Sequence, residues 1–331
     1  MVECSLQKFQ KVCKITRGEP FPPAMISLME TRADISFQQL SHFDWQDYRS
    51  FHNHTHDYSV SGVLRIAPGV YSSQLGNHRD ILVYLPPSYH KGDGHYPVLY
   101  MQDGQNLFDN VTSYAGEWGV DETMEELGQR EGIEAIVVGI SNAGVQRLDE
   151  YSPFRDRRLG GGRGDDYLRF IAETIKPRID SEFRTLPQAQ YTGIMGSSMG
   201  GLISLYAFFE YPHLFGLAGI MSPSLWFADG AIFDYVAAAE YRPGKIYLDA
   251  GTREYGENQH GGLLHRATAS RRYYASVRRL KGMLVRKGYR PLRDILHVEE
   301  RWAGHSESSW ARRLPPAMRF LLTEAMRQTR G

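Results

Sequence analysis

Apolar positions fall into two regimes along the chain. From about residue 60 onward, short apolar runs recur between Gly, Asn and Pro residues. Segments 59–66 and 79–85 alternate or run apolar, and 96–101, 133–140, 190–195, 214–221, 245–250 and 292–300 follow. Runs of this length read as strands, and their continuity suits strands covered on both faces, as in a parallel sheet. Helical periodicity lies between them at 119–129, 165–179, 199–210, 272–287 and 308–328. In 165–179, Leu168, Ile171, Ile175 and Ile179 form one stripe, with Asp165 placed to cap it. Strands alternating with helices predict an α/β fold with a mostly parallel central sheet flanked by helices. The first two strands, separated by little more than a turn, predict an antiparallel start.

Residues 1–60 follow a different pattern and read as a short, partly helical N-terminal appendage to a main domain spanning 61–331. Segment 4–14 reads as a short helix that the Pro-rich stretch at 19–23 breaks. Phe37, Phe43, Trp45, Tyr48 and Phe51 recur at loosely helical spacing within 36–52.

Composition narrows the function classes. The 331 residues are 42% apolar and 12% aromatic, enough for a sizeable core, which excludes whole-chain disorder. Lys+Arg and Asp+Glu are 38 each, so the basic footprint of a dedicated nucleic-acid binder is absent. No apolar stretch approaches the roughly 18–20 residues needed to cross a bilayer. Cys4 and Cys13 cannot cross-link a core, and no cysteine pair is spaced for zinc. The first residues lack the apolar segment of a signal peptide. These features predict a soluble, cytoplasmic globular protein with no nucleic-acid or membrane partner.

The segment Gly196-Ser197-Ser198-Met199-Gly200 fits Gly-x-Ser-x-Gly with Ser198 at its centre. The pattern marks a sharp strand-to-helix turn that projects a serine hydroxyl above a sheet edge, with small residues where the backbone is crowded. It follows a strand-like run and opens a helix-like one, as that turn requires. The plainer reading is a glycine-rich turn packing helix on strand.

A serine nucleophile needs a base, and in this arrangement the chain order is Ser, acid, His. His305 is favoured as the base because it lies in a Gly-flanked loop after the 292–300 strand. His297 falls inside that strand and reads as structural, His213 reads as a surface or capping residue, and His260 and His265 fall in a loop. For the acid, Glu254 lies just past the 245–250 strand, where sites of α/β proteins collect, whereas Asp249 lies inside it. Glu254 is favoured over Asp249, although an exposed loop charge is the usual fate of such a residue. An oxyanion hole needs two backbone donors. The Met199 N–H at a helix start is one. The Gln105 N–H is the other, in the loop after the 96–101 strand, where Gly104 permits an unusual turn.

These pieces give the sequence a specific resemblance. Val83-Tyr-Leu-Pro-Pro-Ser-Tyr89, Val98-Leu-Tyr-Met-Gln-Asp-Gly-Gln-Asn-Leu-Phe108, Gly196-Ser-Ser-Met-Gly-Gly201, Ser222-Pro-Ser-Leu-Trp226, Gly251-Thr-Arg-Glu254 and Gly304-His305 occur in one order over about residues 60–325. In this the chain resembles the putative-esterase family of α/β-hydrolases, which includes enterochelin esterase-like proteins, feruloyl esterases, S-formylglutathione hydrolase and mycolyltransferases. The resemblance implies an α/β-hydrolase fold and a serine esterase with Ser198 as nucleophile, His305 as base, Glu254 as acid and Gln105 as an oxyanion donor. No metal or organic cofactor is implied. The acid is often Asp in that superfamily and is Glu here, and residues 1–60 lie outside the matching motifs. An acyltransferase on the same machinery and a non-catalytic binding module on the same fold are the alternatives.

Three further features stand apart. His52, His54 and His56 alternate and would share one face of a strand, where they could bind a divalent metal, but no carboxylate-rich partner motif follows. The segment 144–164 reads as a long loop carrying Arg147, Arg155, Arg157, Arg158 and Arg163, which could rim a cleft and meet an acidic or polar substrate or could be a solvated surface. Arg147 is its candidate substrate contact. Trp226 follows the 214–221 strand and is a candidate lining residue of the acyl or alcohol pocket, with core packing as the alternative.

Overall fold

The structure, a computed structural model, describes residues 43–52, 58–255 and 263–329. The expected helix at 4–14, both cysteines, and His54, His56 and His260 lie outside these residues. Among the described residues a nine-stranded sheet runs in the order β1-β2-β3-β5-β4-β8-β9-β10-β11. Its strands are β1 (Gln46–Asp47), β2 (Val63–Ser72), β3 (Asn77–Leu85), β4 (Val98–Gln102), β5 (Ile136–Ile140), β8 (Thr192–Ser197), β9 (Leu217–Met221), β10 (Lys245–Gly251) and β11 (Ile295–Glu300). From β5 to β11 every pairing is parallel, whereas β1–β2, β2–β3 and β3–β5 are antiparallel. A separate two-stranded hairpin, β6 (Arg155–Asp156) and β7 (Gly160–Gly161), lies within the Arg-rich segment.

The apolar runs look continuous because both faces of the sheet are covered and successive side chains point to opposite faces. Val98, Tyr100, Ile246 and Leu248 enter one core cluster, while Leu99, Met101 and Tyr247 enter the other. The first cluster takes in helices α4 (Gly164–Phe170), α5 (Lys176–Glu182), α6 (Met199–Glu210), α7 (Ala231–Ala238) and α8 (Leu263–Lys287). The second takes in α2 (Val120–Glu131) and α9 (Glu307–Thr329). Helix α6 is buried from Met199 to Phe209, consistent with its lack of a polar face.

Several expectations are revised. The stretch 43–52 does not form an appended helix. It adds the edge strand β1 and one helical turn, α1 (Tyr48–His52), to the main sheet. The aromatics explain the attachment: Trp45 packs edge-on against Phe183 at 5.2 Å, and the buried Tyr48 hydroxyl donates to Asp109 at 2.9 Å. His52 therefore ends a helical turn and does not lie in a strand. The stripe at 168–179 is buried as expected, but its helix is broken by a π-type turn over Ile171–Ile175. Pro177 lacks the N–H for the preceding turn and its ring crowds the carbonyl four residues earlier, which accounts for the break. Asp165 lies within the first turn, where it accepts the Tyr206 hydroxyl, and does not cap it. Segment 144–164 is not a loop: it folds into α3 (Arg147–Glu150) and the β6–β7 hairpin. His265 lies on α8, exposed, and not in a loop. Helix α7 has no counterpart among the expected elements.

Candidate active site

The carboxyl ends of β4, β8, β10 and β11 deliver Gln105, Ser198, Met199, Glu254 and His305 to one edge of the sheet, where ligand sites of open α/β sheets lie. Ser198 follows β8 and opens α6 with φ 58° and ψ −119°. A non-glycine residue held there stores on the order of 1–3 kcal/mol of backbone strain, so the surroundings must fix it. The Ser198 N–H donates to the Met221 and Ser222 carbonyls at 3.0 and 3.1 Å, and its own carbonyl accepts from Ser224 N–H at 3.0 Å. Gly196 is required by close approach: a Cβ there would collide with Gln102 Oε1 and stand 2.9 Å from the Gly200 backbone. The Ser198 hydroxyl lies 3.1 Å from Ser224 Oγ.

Glu254 and His305 meet because β10 and β11 run parallel with Gly251 opposite Glu300, so their following loops leave the sheet side by side. Backbone bonds join these loops, from Thr252 N–H to Glu300 O at 3.0 Å and from Arg253 N–H to Ala303 O at 2.9 Å. The approach needs Gly251, since a Cβ would strike the Ala303 carbonyl. Glu254 Oε2 lies 2.6 Å from His305 Nδ1, while Oε1 accepts the Ser222 hydroxyl at 2.7 Å and the Gly251 N–H. Burial of Glu254 opposes its charge, but the bonds from His305, Ser222 and Gly251 outweigh it and hold the carboxyl below the usual glutamate range. The imidazole stands edge-on to Trp310 at 5.0 Å and to Tyr273 at 5.7 Å, which restrains its ring plane.

Asp249 also comes close, but on a different errand. Inside β10 it points to the face covered by α9, where Arg313 Nε lies 3.3 Å away and the Ser222 N–H donates at 2.9 Å. Burial pushes its carboxyl up to about 6 against the pull of Arg313. It supports the turn beneath Glu254 and makes no contact with His305. Among the other histidines, His213 is exposed, and His297 lies in β11 3.6 Å from Glu299, with burial lowering its pKa.

The loop after β4 places Asp103 at φ 58° and leads into a 3₁₀ turn over Gly104–Asn106. Gly104 is needed for space, as a Cβ would lie 2.7 Å from the Gly139 backbone. The N–H groups of Gln105 and Met199 donate to no described backbone carbonyl. Arg147 grips the Asp103 carboxylate through Nε and Nη2 at 2.7 and 2.8 Å, Asn142 adds a bond at 2.7 Å, and the Tyr151 hydroxyl accepts the Asp103 N–H at 3.1 Å. A cleft of about 890 Å³ opens here, lined by Ser198, His305, Gln105, Arg147, Trp118 and Glu307 among others.

Trp226 is not among the residues lining that cleft. It is about half exposed and borders a separate depression with Leu225, Phe233 and Arg279, because it sits at the start of the turn that carries the chain away from Ser224. Ser222 and Ser224 belong to a motif the sequence analysis quoted without a role. Arg313 was missed. Its signal was a charge on the apolar stripe Trp310, Leu314, Ala317 and Met318 of the last helix.

A family model described as "Putative esterase" matches residues 72–321. The chain belongs to this family. The esterase is 31% identical over 198 residues to the uncharacterized protein YbbA of Bacillus subtilis, covering 58% of this chain and 75% of that one. It is 29% identical over 136 residues to the siderophore triacetylfusarinine C esterase of Aspergillus fumigatus, 41% of this chain and 46% of that one. Among solved structures it is similar to the BES protein from Bacillus cereus, with a TM-score of 0.59, 18% identity and coverage of 81% and 97% of the two chains. It is also similar to the ferric enterobactin esterase of Salmonella typhimurium, with a TM-score of 0.62, 18% identity and coverage of 80% and 60%. At such identities the structural likeness shows the fold, that of the α/β-hydrolases. The esterase is thus a carboxylic ester hydrolase, and no helix among its described residues is long and apolar enough to cross a membrane.

Proposed function

We propose that the esterase hydrolyses a small-molecule carboxylic ester through an acyl-enzyme, with Ser198 as nucleophile, His305 as base and Glu254 as the acid. The observation that carries this reading is the 2.6 Å Glu254–His305 bond beside a serine on a strained elbow in the same cleft. The ionised Glu254 is an acceptor, so it keeps the proton on Nδ1 and leaves Nε2 free to take one. Ser198 Oγ attacks the carbonyl carbon as Nε2 takes its proton. The N–H groups of Met199 and Gln105 receive the oxyanion, each such donor being worth about 3 kcal/mol in this chemistry. Collapse breaks the ester C–O bond, and the alcohol leaves with the proton from His305. Water, deprotonated by the same imidazole, then attacks the acyl-Ser198 carbonyl; the bond from the carbonyl carbon to Oγ breaks, Oγ recovers a proton from His305, and the carboxylic acid is released. The serine–histidine hydrogen bond forms with substrate, since the resting hydroxyl is bonded to Ser224.

Treatment with a fluorophosphonate and intact-mass analysis tests the assignment. One adduct on Ser198, absent in Ser198→Ala, is the expected result. An adduct on another residue, or none, overturns it.

A further inference from the structure

The formally charged side chains among the described residues lining the Ser198 cleft are Asp80, Asp103, Arg147 and Glu307. Arg147 is their one permanent cation, and both of its bonded nitrogens lie on Asp103, so that pair contributes no net charge. The other arginines of segment 144–164 do not reach the cleft. Arg163 bonds the carbonyls of Gln74 and Leu75 and lies 3.3 Å from Asp166, while Arg155, Arg157 and Arg158 are exposed elsewhere. Of the two readings of this segment, a rim for an acidic or polar substrate and a solvated surface, Arg155, Arg157 and Arg158 follow the second.

Two carboxyl groups remain, and they differ. Asp80 already accepts the Gly69 N–H at 2.8 Å. Glu307 stands two residues past His305, in the first turn of α9, against Gly116 of the facing loop. Within the described residues its carboxyl makes no ion pair or hydrogen bond to another side chain; burial raises its pKa above the ordinary glutamate value, and its own backbone N–H donates to it. A partly buried carboxylate served by its own backbone N–H is poorly compensated, and a bound group that brings a further N–H or O–H relieves that cost, whereas an anion adds to it.

We propose that Glu307 is a specificity residue that selects esters whose cleft-bound part is cationic or uncharged with a hydrogen-bond donor, and rejects anionic ones. The inference rests on the triad reading above. It names the charge class of the substrate, which the fold does not fix.

The test uses three p-nitrophenyl esters of trans-4-substituted cyclohexanecarboxylic acid, bearing aminomethyl, hydroxymethyl or carboxylate. For the wild-type esterase, kcat/KM for the cationic and neutral esters exceeds that for the anionic one by about tenfold or more, as expected for one like-charge contact. Glu307→Gln reduces the cationic-to-anionic ratio to within about threefold, and the ratio in wild type shrinks with added salt. Equal rates on all three wild-type reactions, or a ratio unchanged in Glu307→Gln, overturn the proposal. Fluorophosphonate labelling separates the two readings. Labelled protein without charge preference overturns this proposal alone, and protein that Ser198→Ala leaves active overturns the triad, and this proposal with it.

Discussion

The Ser222 hydroxyl donates to Glu254 Oε1 at 2.7 Å from a residue whose backbone is held at φ 37°. Its other groups are spoken for as well. Its N–H bonds Asp249, its carbonyl accepts from Ser198 and Tyr273, and its Oγ accepts from Arg313 Nη2 at 3.0 Å. One residue thus ties the serine elbow to the carboxylate that is hydrogen-bonded to His305. Because Arg313 donates to Oγ, the serine proton is directed to Glu254.

Ser222→Ala therefore removes one of the carboxylate's donors and leaves Arg313 Nη2 without its acceptor. We expect kcat to fall about tenfold with KM little changed, and stability to drop by about 1–3 kcal/mol, the cost of unsatisfied buried groups. Steady-state kinetics with thermal melts check both. Ser222→Gly relieves the positive φ but leaves the same groups unsatisfied, so it should recover part of the stability through the backbone alone and none of kcat.

Ser198→Ala and His305→Ala should each lower kcat on the order of a million-fold, and the double variant should fall no further, because the groups act as a unit. Ser197→Ala should keep most activity. Circular dichroism must be unchanged for the comparison to hold. An active Ser198→Ala protein would contradict the mechanism.

Glu254→Gln should lower kcat by up to about ten-thousand-fold with little effect on KM, through loss of imidazole orientation and charge. Asp249→Asn should act on stability instead, with a sign that depends on pH. Burial raises the native Asp249 carboxyl to about 6, above its unfolded value near 3.9. Between these values the native state holds a proton that the unfolded chain lacks, so the contribution of Asp249 to stability is present at low pH and is lost as pH rises through about 6. The melting temperature of Asp249→Asn relative to wild type should accordingly rise between pH 5 and pH 7.

Arg147 separates substrate binding from loop support. Its fork fixes Asp103, whose left-handed backbone opens the turn that carries Gln105. Arg147→Lys keeps the charge but loses the fork, and should cost ten- to a hundred-fold in kcat with KM nearly unchanged. A pure KM effect, measured on a neutral ester, would instead mark Arg147 as a substrate contact.

Local sequence alone determined much of this protein. From the second onward the strand runs, and α6, stand close to where the apolar pattern placed them, because burial on both faces leaves an uninterrupted apolar signature, whereas the strand read at 59–66 runs over Val63–Ser72. The Ser198 elbow was legible because strand, glycine-flanked serine and helix must adjoin in the chain. Glu254 was preferred over Asp249 on chain logic: a residue past a strand end reaches the sheet edge, while one inside the strand is committed to a face. What remained hidden depends on neighbours distant in sequence. Arg313 meets Ser222 across 91 residues, and the trend of Trp226 away from the cleft follows from a turn that no local pattern announces. Residues 43–52 joined the sheet because Trp45 and Tyr48 found partners at Phe183 and Asp109. The arginines of segment 144–164 suited a cleft rim and a solvated surface equally, and folding turned most of them away and set Arg147 against Asp103. The charge of the cleft was therefore decided by tertiary structure, because it depends on which charges pair and not on how many the segment carries.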